Sequence, residues 1–243
     1  MMKKTIFILI TMALMVSGCY FPVRATRVIG SGDVITETRR VANFSAVELN
    51  GVGTLIIEQG ETESLEITAE ENLLPYLQSV VRGKKLVLGV EGFVNISPKE
   101  PIILRLTVKN LERVETSGMG NIEIAKLLGG DFTLEISGSG NATITDLQAE
   151  NLKVEVSGLG NVSIAGTVED QRIDFSGAGN YDAPDLFSDQ ARVEISGTAH
   201  AVVWAEKELD VELSGMGSLQ YYGSPQLSTD ISGAGSIESL GEK

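Results

Sequence analysis

From residue 111 onward apolar and polar positions alternate strictly over short stretches, and the same stretch returns about every twenty residues. Ser-Gly pairs mark each return, at Ser117, Ser137, Ser157, Ser176, Ser196, Ser214 and Ser232, with spacings of 20, 20, 19, 20, 18 and 18. The residue before the serine is Thr116, Ile136, Val156, Phe175, Ile195, Leu213 or Ile231. Two positions earlier stands Val114, Leu134, Val154, Ile173, Val193, Val211 or Thr229. Between them lies an acid in every copy: Glu115, Glu135, Glu155, Asp174, Glu194, Glu212 and Asp230. This alternation is the mark of a strand with one buried face.

After each Ser-Gly comes a variable residue and then, except at Ala199, a second glycine: Gly120, Gly140, Gly160, Gly179, Gly217 and Gly235. Glycine accepts positive φ without steric cost, so Gly-x-Gly predicts a sharp corner. A second strand follows, with Ile122, Ile124, Ala142, Ile144, Val162, Ile164 and Val203 as its inward candidates. Fixed-period repetition of this length signals stacked units, none of which buries its own core. The predicted fold class is therefore all-β, a parallel β-helix-like solenoid with coils of about 18–20 residues. An antiparallel meander gives no reason to return one residue type to one corner. Coils stacked about 4.8 Å apart make a rod roughly 30–35 Å long over the seven copies.

Residues 40–110 read as an irregular, capping half of the same body, ahead of the regular repeats of 111–240. Asn50-Gly51-Val52-Gly53 echoes the corner, and Leu55-Ile56-Ile57, Leu65-Glu66-Ile67 and Leu86-Val87-Leu88 read as strands. Residues 71–81 suit a short helical turn interrupted by Pro75.

The first residues follow a different rule. Lys3 and Lys4 precede an apolar run over residues 5–16, too short to span a bilayer and shaped like a signal peptide. Val16-Ser17-Gly18-Cys19 follows and resembles a bacterial lipobox. That resemblance implies cleavage after Gly18, a signal peptide over 1–18, a lipid on Cys19 that holds the chain to a membrane, and a lipidated tether over 19–39. Two or three acyl chains give lasting anchorage where one does not. Tyr20, in place of an aspartate, resembles the class sorted to the outer membrane.

Composition agrees with a turn-rich β protein: 27 glycines, 42% hydrophobic and 5% aromatic residues in a chain of 243. The formal net charge of −14 becomes about −16 once Lys3 and Lys4 are removed. Such a surface repels phosphate backbones, so no nucleic-acid partner is expected. With a single cysteine, Cys19, no intrachain disulfide can support the coils.

Several stretches resemble the head GIN domain family, whose name associates it with auto-transporter adhesins. They are Arg40-Val41 with Phe44, Gln59-Gly60, Ser64-Leu65-Glu66-Ile67, Glu70, Asn72-Leu73-Leu74-Pro75-Tyr76, residues 101–108 and the Ser-Gly-x-Gly-Asn corners. The resemblance covers roughly residues 40–240 and implies a β-helix-like fold with an adhesin-like role at the cell surface. No barrel-type strands follow Ile231, so export through a pore of its own is not expected.

Stacking turns each alignment column into a ladder of neighbouring side chains. Asn121, Asn141, Asn161 and Asn180 form one, continued by His200, Ser218 and Ser236; stacked amides can hydrogen-bond from rung to rung. His200, the only histidine, has no partner set for a metal. The acidic ladder is accompanied two positions earlier by Arg113, Lys153, Arg172 and Arg192, then by Asp210 and Ser228. Asp210, Glu212 and Asp230 are thus left as an uncompensated cluster and a candidate for weak divalent-cation binding. Tyr181, Trp204, Tyr221 and Tyr222 form an aromatic group, of which Trp204, Tyr221 and Tyr222 are candidates for stacking on a glycan; capping of the core is the structural alternative. The carboxylates recur as regular repeats rather than as an isolated pair, and no nucleophile, phosphate-loop or zinc motif is found. An enzyme is not expected, nor a cofactor. The expected role is a non-catalytic surface module whose partner is a cell-surface protein or glycan, with self-association open to it through its free edges.

Overall fold

The computed structural model describes residues 26–243 except Phe93, and Cys19 with the whole lipobox lies outside them. The regular half is a right-through stack of long strands, Ser139–Val156, Leu159–Phe175, Ala178–Ile195 and Thr198–Leu213, each of which travels round one coil. Successive strands pair in parallel and in the register the serine alignment predicts: Gly140 beside Gly160, Val154 beside Ile173, Glu155 beside Asp174. The pairing breaks between Ile144 and Leu147 and resumes as three runs, 139–144, 147–149 and 151–156, so each coil has three sides.

The inward columns become the core. Val114, Leu134, Val154, Ile173, Val193 and Val211 are fully buried, as are the sequence-predicted Ile122, Ile124, Ala142, Ile144, Val162, Ile164 and Val203. In the last coil the core is open: Leu227 and Ile231, which continue the columns of Leu209 and Leu213, retain 42% and 46% exposure.

Positive φ is found at Gly51, Gly53 and Gly179, but the first glycine of each regular corner has a different reason. None of Gly118, Gly138, Gly158, Gly177, Gly197, Gly215 and Gly233 has positive φ. Each instead lies directly over the corner below, its neighbour's N–H bonded to that corner, as in Leu159 N–H to Gly138 O at 2.9 Å and Thr198 N–H to Gly177 O at 2.9 Å. A Cβ on Gly158 would overlap the carbonyl oxygen of Gly138, far inside the 3.0 Å limit of real contacts, and the same holds from Gly118 to Gly233. The side chain is excluded by the coil beneath it, not by the local dihedral.

The N-terminal half stacks out of sequence order. Strand Ala46–Asn50 lies between Lys85–Val90 on one side and Arg113–Thr116 on the other, parallel to both. Likewise Val52–Gln59 lies between Ile103–Val108 and Met119–Leu128. The chain therefore builds an inner coil, adds residues 85–108 outside it, then returns across the first coil to begin the regular repeat. Antiparallel strands close the outer end: Leu77–Arg82 beside Lys85–Val90, and Ser64–Glu70 between Ile103–Val108 and Val34–Arg39. Turned strand directions and Pro75, in the 3₁₀ turn Leu74–Tyr76, stop further parallel addition. Residues 26–39, which the sequence places in a tether, contain the strands Thr26–Ile29 and Val34–Arg39 and belong to this cap.

Because a rigid neighbour fills the space, Gly158→Ala is expected to cost about 1–3 kcal/mol, a melting-temperature loss of several degrees. Gly129→Ala, with nothing within 4 Å of the new Cβ, is expected to leave stability unchanged or slightly raised. Thermal melting followed by circular dichroism compares the two; equal melting points would contradict the stacking account.

Candidate functional site

Columns of outward side chains give the surface its chemistry. On the asparagine ladder each amide donates to the oxygen of the rung before: Asn141 Nδ2 to Asn121 Oδ1 at 3.3 Å, Asn161 to Asn141 at 3.0 Å, Asn180 to Asn161 at 2.8 Å. His200 Nδ1 continues the column to Ser218 Oγ at 2.8 Å. The ladder consumes its own donors and acceptors.

The acidic ladder is held by cations that reach across coils or along their own strand. Lys85 Nζ bridges Glu48 at 3.4 Å and Glu115 at 2.5 Å, and Arg113 pairs with Glu135. Lys153 meets Glu155 at 2.6 Å, and Arg172 meets Glu194 at 2.9 Å. Hydrogen bonding to Glu115 pushes the Lys85 ammonium up from its ordinary value. Asp174, one methylene shorter than its neighbours, is pushed up by burial and then by the charges of Glu194 and Glu155.

The cluster read as uncompensated has a cation in it. Arg192 reaches Asp210 at 2.9 Å and Glu212 at 2.8 Å while also contacting Glu194 at 2.7 Å. Arg192 lies beside Asp210 in register, and its guanidinium spans from its own strand to the next coil. Among the described residues no group of three or more His, Cys, Asp or Glu is arranged to hold a metal ion. Asp230 stands beside Glu212 in the register of the last coil.

The aromatic candidates separate. Tyr181 is fully buried, and its hydroxyl donates to Gln171 Oε1 at 3.1 Å; burial pushes the phenol far up. Gln171 Nε2 in turn donates to Ser188 Oγ at 2.8 Å, and Ser188 Oγ donates to Trp204 O at 2.7 Å, so a polar network ties three coils together inside the core. Tyr221 packs against the core, opposite Val203 in register. Trp204 and Tyr222 share an outer column with Phe187, which sequence reading missed because the register slips between Asp182 and Phe187. Phe187 and Trp204 meet edge to face with centroids 5.2 Å apart. Lys243 Nζ sits 5.3 Å from the Trp204 ring and 5.1 Å from the Tyr222 ring and donates to Pro184 O at 2.6 Å. The ring faces are thus covered by a cation of the same chain.

Beside the acidic ladder runs a groove of about 580 Å³ that crosses five coils. Its floor is Phe132, Leu152, Gln171 and Ala191, the inward residues near the bend of each coil. One wall carries Asp131, Asn151, Asp170, Gln190 and Glu208, and the other carries Thr133, Lys153, Arg172, Arg192 and Asp210.

The sequence profile of the family described as "Putative auto-transporter adhesin, head GIN domain" matches residues 43–225, most of the chain. The chain belongs to this head GIN domain family. Solved structures share the fold. A protein from Bacteroides fragilis described as a "putative adhesin" superposes with a TM-score of 0.84 at 24% identity, over 88% of this chain and 100% of that one. A "putative lipid binding protein" from Parabacteroides distasonis gives 0.70 at 24% identity, over 88% and 100%. A "putative adhesin" from Parabacteroides merdae gives 0.69 at 21% identity, over 89% and 100%. At these identities the likeness speaks for the fold. No functionally curated protein matches the chain.

One residue of the head GIN pattern gains a structural role. Glu70 is completely buried, and its carboxylate accepts N–H bonds from Gly32 at 2.7 Å and Lys99 at 2.9 Å. Asn72 beside it accepts from Ser31 N–H at 2.9 Å and donates to Ile29 O at 2.8 Å. A Cβ on Gly30 would overlap the Glu70 carboxylate, so glycine is required there. Together these contacts pin residues 26–33 onto the cap. Nothing in the hydrophobic pattern marks Glu70 as buried; only the family resemblance singles it out. Burial alone raises a carboxyl's pKa, but the backbone N–H groups of Lys99, Gly32 and Glu100 outweigh it and hold Glu70 below the ordinary value of 4.5. The stability it contributes is therefore present above that value and lost as pH falls through the lower value of the folded state. Glu70→Gln is expected to melt below the wild type at pH 7 and to lose less of its melting temperature than the wild type on acidification. Melting curves from pH 7 to strongly acidic pH check this; parallel pH dependences would remove Glu70 from the account.

Proposed function

We propose that this protein is an exported lipoprotein of the cell envelope, anchored through a lipid on Cys19, whose head GIN solenoid acts as a non-catalytic, adhesin-like interaction module. The family match over residues 43–225 carries this reading. The lipobox resemblance of Val16-Ser17-Gly18-Cys19 supports the anchor, and Tyr20 supports sorting to the outer membrane. The surface supports a binding role rather than chemistry. Its carboxylates are ion-paired in regular columns, as at Lys153–Glu155 and Arg192–Glu212, whereas acid–base catalysis relies on groups whose environments set their pKa values apart. The Arg192 contacts argue against a cation at Asp210 and Glu212.

A glycan-binding lipoprotein is the second reading. The groove of polar rungs that crosses five coils favours it over a partner that is protein alone; the Trp204 and Tyr222 rings, with Lys243 over them, do not.

Metabolic labelling with radioactive palmitate in the native host tests the anchor: the wild type is expected to be labelled and to sediment with membranes, and Cys19→Ala to be unlabelled and released. Cells lacking the protein are expected to lose attachment to a surface that wild-type cells bind, with Cys19→Ala failing to restore it. An unlabelled wild type would contradict the anchor, and turnover of cell-wall or plant polysaccharide by the purified protein would contradict the non-catalytic role.

A further inference from the structure

The geometry points to the five-coil groove as a binding site for a neutral, unbranched, β-linked polysaccharide, laid along the solenoid axis with one sugar unit per coil. The inference rests on the interaction-module reading and names its ligand class and site.

The walls repeat with the coils. Asn151, Asp170 and Gln190 are consecutive rungs of one wall, and Lys153, Arg172 and Arg192 are consecutive rungs of the other, all in direct register. Polar groups therefore recur at the strand spacing of about 4.8 Å. In an extended β-1,4-linked chain each hexopyranose advances by close to that distance and is turned about half a turn from the last, so one unit meets each rung and the same contact recurs on every second unit, two rungs on. An extended peptide presents side chains on one face about every 6.7 Å and falls out of step with the rungs.

Charge selects among polymers. The lining carries three cations, Lys153, Arg172 and Arg192, against four acids, Asp131, Asp170, Glu208 and Asp210. The cations are already engaged by acids of their own ladder, such as Glu155 and Glu194. Near-balance with bound cations gives an anionic polymer no advantage, and the chain's net charge of −14 repels it. Asp170 and Gln190 are exposed, so carboxylate oxygens and an amide face the groove in sequence. Acceptors and donors side by side suit hydroxyl groups, which both donate and accept.

Two other surfaces fit a glycan less well. The wider depression of about 980 Å³ at the Gly-x-Gly corner is floored by glycine backbone, whose N–H and C=O groups are spent between coils, as in Met216 N–H to Gly197 O. The Trp204 and Tyr222 rings lie under Lys243.

Isothermal titration of the mature protein with cellohexaose, mannohexaose, xylohexaose and chitohexaose, and with their shorter homologues, tests the site. At least one series is expected to bind, with affinity rising with length up to about five units, the number of coils crossed. In that series Asp170→Ala/Gln190→Ala is expected to weaken binding about tenfold while melting as the wild type does, and Trp204→Ala is expected to bind normally. Absence of heat with every hexasaccharide at millimolar concentration would overturn the inference. So would length-independent binding, or binding that Trp204→Ala abolishes and the double variant spares. None of these outcomes touches the interaction-module reading, which stands or falls on attachment of cells.

Discussion

Backbone resting on backbone at the Ser-Gly corner is the contact from which the other features follow. The carbonyl of one corner glycine occupies the space in which the next would carry a Cβ, as Gly138 does for Gly158 and Gly177 does for Gly197. No side chain separates the coils there, so each must settle at the strand hydrogen-bonding distance and in one register. A slip by one residue would turn every inward side chain out to solvent. With the register locked, like stands on like throughout. Valine and isoleucine fill the core columns, asparagine bonds asparagine, and carboxylate lies beside carboxylate.

Those columns are not equally favourable. The amide ladder satisfies itself, since each asparagine offers both a donor and an acceptor to the next rung. The carboxylate ladder opposes stacking, because adjacent like charges at strand spacing repel by roughly 1 kcal/mol even in water. Lys85, Arg113, Lys153, Arg172 and Arg192 offset that repulsion, and Lys85, Arg113 and Arg192 each serve acids in two coils. At Asp174, burial and then the charges of Glu194 and Glu155 raise the carboxyl's pKa. A surface of this kind is tuned to hold itself together, and what it can offer a partner is concentrated where the columns part: in the groove between the residue 131–208 and residue 133–210 columns.

The regular half was legible because a repeated corner and an alternating strand are both written in residue type. The inward columns, the parallel register and the asparagine ladder all appear in the structure as the serine alignment places them. Relations between coils that are not successive in sequence left no comparable trace. Residues 85–108 stack outside residues 46–59, marked in sequence only by Gly89 and Gly53, each pressed against the neighbouring backbone. Arg192 stands beside Asp210 in register, so one guanidinium reaches two acids of the next coil that have no cation two positions before them. The aromatic column of Phe187, Trp204 and Tyr222 was hidden by a register slip at the bend, while Tyr221 and Tyr181, similar in type, face the core. Side-chain chemistry announces a column; it does not announce which way a bend turns it.

Cross-linking between rungs measures the stacking itself. A disulfide needs Cα atoms about 4.4–6.8 Å apart, a distance that adjacent parallel strands satisfy and alternate strands, at twice about 4.8 Å, do not. In a chain with Cys19 replaced, Glu135→Cys/Glu155→Cys is predicted to oxidise to an intrachain disulfide, since the two positions are paired in register. Glu135→Cys/Asp174→Cys, one coil further on, is predicted to remain reduced under the same conditions. Equal cross-linking of both pairs, or none in the first, would contradict the account.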